Sequence, residues 1–131
     1  MYRAQPLLDN GATVTFSSDI VSTFEWDTDR GNPYLGMQIG HTRIEPEFED
    51  PDRVRPPFSD RLSRQDLLLG YTINGARQLN LDADTGSIQV GKLADLVVLS
   101  ADLFEVESSK IRDVKPTAVL MAGELVHGQL D

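Results

Sequence analysis

The chain has no cysteine among its 131 residues. That excludes a disulfide framework and thiolate chemistry. Histidine is nearly absent, with only His41 and His127. There is no Gly-x-Ser-x-Gly elbow, no phosphate-binding loop and no His-x-x-x-His pair. No apolar run is long enough to span a bilayer, and the opening MYRAQPLLDNG lacks the apolar core of a signal peptide. Positive charge is also short: 12 Lys and Arg stand against 21 Asp and Glu, a net charge of −9. That balance opposes nucleic acid and anionic membrane surfaces, where Lys and Arg must neutralise phosphate. The expectation is a cytoplasmic protein with neither kind of partner.

What is present is ordinary globular material, 40% hydrophobic and 25% charged. The length suits one domain, since domains run to about 50–250 residues. Residues 1–44 carry one strand signal, Ala12–Phe16, after a turn or helix end at Asp9-Asn10-Gly11. A short helix is expected over Tyr34–Ile44, where Leu35, Gln38, Ile39 and Thr42 recur at helical spacing. Residues 45–60, EPEFEDPDRVRPPFSD, hold four prolines and six acids and read as an exposed loop. They lack the alternating oxygen ligands and glycine turn of a calcium loop.

The second half has the clearer periodicity. Ser63-Arg64-Gln65-Asp66 resembles a capping box, and one helix is expected to run from there to about Asn80. Gly75-Ala76 on its packing face suggests close approach to a neighbouring element. The DADTG that follows mimics the start of an EF-hand loop, but it lacks the later ligands and is read as a turn. Four strands are then expected: Ser87–Val90, Leu93–Leu99, Thr117–Met121 and Glu124–His127. Ala122-Gly123 is the hairpin turn between the last two. Together they make one antiparallel-rich sheet.

Candidate chemistry is sparse. His127 reads as a surface residue. His41 could reach a ligand, although a lone histidine is ordinarily structural or solvated. The stretch VTFSSDIV is more informative, because a β-branched and aromatic run stops at Ser17-Ser18-Asp19. A carboxylate at the C-terminal end of a buried strand is where α/β barrels place catalytic groups. There it can hold a metal or accept a proton from metal-bound water. Asp19 could equally cap the following segment, and the residues alone leave both readings open.

Several segments, in order, resemble the C-terminal part of a metal-dependent amidohydrolase of amidohydrolase family 3, the YtcJ-like subgroup. LLDNGATVTFSSD resembles the last barrel strand with its Ser-Asp end. NPYLGMQIGHTR resembles the loop and helix after it. YTINGARQLNLDADTGSIQVGKLADLVVLS resembles the final barrel helix and the return to a small β-sandwich, and AVLMAGELVHG resembles the closing hairpin. Gly-Ser-Ile-x-x-Gly-Lys-x-Ala-Asp-Leu-Val-Val-Leu is the most specific piece, marking the broad superfamily and no substrate. The usual proline after Ser-Asp is replaced by Ile20-Val21-Ser22.

The resemblance implies an α/β fragment. It would comprise the last strand and helix of a TIM-type (β/α)8 barrel over residues 1–82 and the C-terminal strands of a small composite β-sandwich over residues 83–131. It gives Asp19 a catalytic and metal-binding role, and makes Arg43, in a matching Thr-Arg, a substrate-binding or loop-anchoring residue. Asp95 matches the family and reads as a structural turn residue. A full barrel needs at least about 200 residues, and a catalytic zinc typically takes three protein ligands. The expectation is therefore a piece of a hydrolase of non-peptide carbon–nitrogen bonds, inactive alone. Its divalent metal (zinc) and small amide-like substrate belong to the full-length parent, and this chain alone binds no metal. It would self-associate or pair with the missing barrel part. The rival is a non-enzymatic, β-rich interaction module that pairs with another chain.

Overall fold

Six apolar side chains from distant stretches form the core: Met37, Leu62, Leu67, Leu103, Ile111 and Val114. Leu67 and Ile111 are each 2% exposed. Burial of one such side chain is worth about 1.5–3 kcal/mol. The core draws on both 1–82 and 83–131. The computed structural model describes residues 3–18, 31–44 and 54–130.

Helix α1 (Gln5–Asp9) has a proline in its first turn and ends at Asn10. Helix α2 (Pro33–Thr42) starts with Asn32, whose side-chain oxygen accepts from Tyr34 N at 3.0 Å. The Asn32 amide also donates to Arg112 O at 3.2 Å, and buried Gln38 accepts from Arg112 N at 3.0 Å. These bonds fasten α2 to the 3₁₀ turn Ser108–Asp113, with Met37 and Ile111 in the same core cluster.

The single helix expected after Ser63 is two, α3 (Arg64–Tyr71) and α4 (Ile73–Gln78). The cap itself is as expected, with Ser63 Oγ accepting from Asp66 N at 3.0 Å. The break falls at Thr72, at φ −126° and ψ −102°. The Thr72 hydroxyl donates to Leu68 O at 2.7 Å, the local side-chain-to-backbone bonding that competes with helix continuation.

The close approach lies one turn earlier than the sequence suggests, at Gly70 and not at Gly75. A Cβ on Gly70 would stand 2.3 Å from the Phe16 ring, whereas one on Gly75 would meet nothing nearer than 4.0 Å. Glycine lets residues 12–18 lie directly on α3. Phe16 N donates to Gly70 O at 3.3 Å, and Asn74 donates to Val14 O at 3.1 Å. Ala12–Phe16 is therefore not a strand in a sheet. The backbone bonds of Val14 and Phe16 run to this helical hairpin, and no strand among the described residues pairs with the segment.

Three strands form one antiparallel sheet in the order β1-β2-β3: β1 (Leu96–Leu99), β2 (Pro116–Met121) and β3 (Glu124–Gly128). Val97 faces Val119, which in turn faces His127. Ala122 and Gly123 both have positive φ, 50° and 86°, as a two-residue hairpin turn of the favoured twist requires. Asp95 secures this turn, as expected of a structural residue. Its two oxygens accept from Ala122 N at 2.9 Å and Thr85 Oγ1 at 3.1 Å.

The expected strand Ser87–Val90 is absent. Its neighbourhood is a turn wrapped on Lys92, whose ammonium donates to Asp82 O, Thr85 O and Ser87 Oγ. Three donors on three acceptors saturate the group. The most specific motif of the chain is thus a structural clasp. The apolar run Leu96–Leu99 is also less buried than its composition suggests. Val97 and Val98 are exposed, and Leu99 is the residue of the run that packs against the core.

Candidate functional site

Asp19 lies outside the described residues, so the site is built from what surrounds its approach. Ser17 and Ser18 line a cavity of about 480 Å³, together with Gly36, Arg43, Asp60 and Tyr71. Residues 16–18 form one wall and α2 forms another. A small-molecule site typically measures about 300–1,000 Å³.

Arg43 closes α2 in the left-handed region, at φ 60°. It is 3% exposed. Its Nε donates to Arg55 O at 2.8 Å and Nη2 to Pro56 O at 3.3 Å, while its own carbonyl accepts from Arg55 N at 2.9 Å. Arg43 thus anchors the stretch at 55–56 and also lines the cavity. The C-terminal end of a helix is a favourable place for a cation. No carboxylate among the described residues pairs with it.

Asp60 is the residue that sequence pattern missed. It belongs to the acidic stretch read as an exposed loop, yet it is 2% exposed. Arg3 holds it, with Nε at 2.7 Å from Oδ2 and Nη2 at 3.4 Å from Oδ1. The hydrogen bond and then the charge of Asp60 raise the Arg3 pKa. Arg3 and Asp60 are 57 positions apart, and nothing local distinguishes this carboxylate from its neighbours.

Tyr71 stacks at a tilt on Phe16, ring centroids 5.6 Å apart. Burial raises its pKa above 10.0. A Cβ at Gly36 would stand 2.2 Å from the Tyr71 hydroxyl, so that glycine makes room for the phenol. His41 is turned to structure. Its Nδ1 lies 2.9 Å from Leu62 O, and since a carbonyl can only accept, Nδ1 carries the proton. His127 is exposed on β3, as expected.

No metal centre assembles among the described residues. No group of three or more His, Cys, Asp or Glu able to hold an ion occurs among the described residues. Asp60 is already paired with Arg3, and His41 is bonded to backbone. The described residues therefore do not fit the divalent ion that the family resemblance implies. Likewise, no helix among them is long and apolar enough to cross a membrane.

An α/β chain with a three-stranded antiparallel sheet agrees with the fold of known proteins. Residues 1–127 match the amidohydrolase family, and the chain belongs to it. It is 32% identical over 126 residues to the protein LONG AFTER FAR-RED 3 of Arabidopsis thaliana, covering 96% of this chain and 20% of that one. A stretch of 41 residues is 49% identical to imidazolonepropionase of Picrophilus torridus, covering 31% of this chain and 10% of that enzyme. The fold resembles an amidohydrolase from Thermotoga maritima MSB8, with a TM-score of 0.59 and 23% identity over 94% of this chain and 25% of that one. The chain spans between a tenth and a quarter of the length of these relatives.

Proposed function

We propose that this chain supplies the C-terminal share of a metal-dependent hydrolase acting on carbon–nitrogen bonds other than peptide bonds, and that it is inactive alone. The family match over residues 1–127 carries this reading. Its coverage of 20% of one relative and 25% of another supports the view that most of the machinery lies elsewhere. Asp19 directly follows the two serines that line the cavity. We assign it as proton acceptor for the hydrolytic water and as one ligand of a divalent ion, zinc by family expectation. The other ligands and the small amide-like substrate's reacting group belong to the remainder of a complete barrel. Arg43 contributes at the cavity wall, where it also anchors residues 55–56.

The test joins this chain to the rest of an amidohydrolase barrel and measures steady-state hydrolysis of cyclic and linear amides. Asp19→Asn is expected to lower kcat by about 10²–10⁴, the usual share of a positioned acid–base group. Near-normal turnover by that variant overturns the assignment. The isolated chain is expected to show no hydrolysis above background.

The rival reading, a non-enzymatic interaction module, draws support from β3, an edge strand exposed along its whole length. Pairing with a barrel partner accounts for the same exposure, so the two readings diverge on turnover and not on association.

A further inference from the structure

We propose that Asn74 is a positioning residue. By holding Val14 it sets where the chain leaves the helical hairpin at Ser17-Ser18, and so where Asp19 can stand. Three successive residues are pinned to α3 and α4. Asn74 Nδ2 donates to Val14 O at 3.1 Å, Thr15 Oγ1 donates to Gln78 Oε1 at 2.8 Å, and Phe16 N donates to Gly70 O at 3.3 Å. Asn74 and Gln78, four apart, share a face of α4. Gly70 belongs to the last turn of α3, where a helix leaves carbonyls without a partner of its own. The Phe16 ring also lies over Gly70 and stacks on Tyr71, centroids 5.6 Å apart. Of the two side-chain bonds, that of Thr15 is exposed to water and that of Asn74 is part-buried, where a hydrogen bond is stronger. The Asn74 amide is oriented from both sides. Val14 O can only accept, so Nδ2 faces it, while Oδ1 accepts from Arg77 Nη1 at 3.4 Å. Helix stability does not account for the residue, since asparagine is a poor helix former and alanine the best.

Ser17 and Ser18, the next two residues, line the cavity. Asp19 follows Phe16 by three residues, so even a fully extended chain keeps it within about 11 Å. Fixing residues 14–16 therefore confines that carboxylate. Calling this the placement of a catalytic group rests on the hydrolase reading; the hold on residues 14–18 does not. The test compares Asn74→Ala and Asn74→Asp in the 131-residue chain, by amide NMR, and in the chain joined to a barrel, by steady-state kinetics. Alanine removes both bonds of the amide and favours the helix. Aspartate keeps the shape and the Arg77 contact, but an ionised carboxylate has no proton to donate to Val14 O. In the isolated chain both variants are expected to shift the amides of Phe16, Ser17 and Ser18. Exchange at Phe16 should rise at least about fivefold, as loss of one hydrogen bond implies, while the amides of α2 stay as they are. In the joined protein both should lower kcat at least about tenfold with KM within about twofold, the pattern of a misplaced reacting group.

A residue that serves only the helix would leave kcat and the Phe16–Ser18 amides unmoved. Unchanged amides at Phe16, Ser17 and Ser18 therefore overturn the proposal, and so does wild-type kcat in either joined variant. If Asn74→Asp does not fold, Asn74→Ala decides. Failure of the hydrolase reading shows instead as absent turnover in the joined wild type, and the amide measurements then still decide the hold on residues 14–18.

Discussion

Two buried charges at the cavity are stabilised by different means. Asp60 has a guanidinium partner, whereas Arg43 rests on backbone carbonyls and the end of a helix. Two half-buried tyrosines link ionisation to folding. Burial raises the pKa of Tyr34 and Tyr71 above 10.0. Below about pH 10 both states hold these protons and the stability is intact. As pH rises further, the unfolded chain loses them first, so unfolding becomes easier until the folded pKa is passed. Urea midpoints should therefore fall above about pH 10, and Tyr71→Phe should make that fall shallower. An identical pH dependence in the variant would contradict the burial argument. At this scale the sequence was only partly readable. Arg43 stood out through its Thr-Arg context, but Asp60 did not, because its burial depends on Arg3 arriving from a distant segment.

Local signals foretold the caps and turns better than the lengths of the elements. Ser63 and the Ala122-Gly123 hairpin are where residue chemistry alone places them, since each depends on a few adjacent groups. The packing of Phe16 and Val14 on α3 and α4 and the loss of strand Ser87–Val90 depend on tertiary partners, the latter through the Lys92 clasp. Gly70→Ala tests the first contact. Alanine favours a helix over glycine by about 1 kcal/mol. A methyl group 2.3 Å from the Phe16 ring, however, forces a shift, and overpacking costs about 1–3 kcal/mol or more. Net destabilisation is expected in denaturant titrations, whereas a more stable variant would show that residues 12–18 do not press on α3. Asp95→Ala tests the hairpin support. It removes the acceptor for Ala122 N, at a cost of about 1 kcal/mol. Faster amide exchange at Ala122 should accompany it, and unchanged exchange would argue against the support from Asp95.

For the whole molecule, the contrast is between a well-filled core and a sheet left open. Met121 and Val126 are 62% and 55% exposed, and β1 and β3 are free edges among the described residues. Exposed edges with apolar side chains invite pairing. Sedimentation velocity should therefore show concentration-dependent association of this chain, relieved when a barrel partner is supplied; a compact monomer at all concentrations would contradict that expectation. The family is legible along nearly the whole sequence because its motifs are local in the chain. The metal centre proposed for a complete barrel is not, because its ligands would have to converge from many strands. On the proposed reading, this chain carries one end of a hydrolase site and not the metal centre itself. Calorimetric titration of the isolated chain with zinc tests that division. No stoichiometric binding is expected, with wild type and Asp19→Asn giving the same trace; a tight one-to-one isotherm in the wild type that Asp19→Asn removes would contradict it.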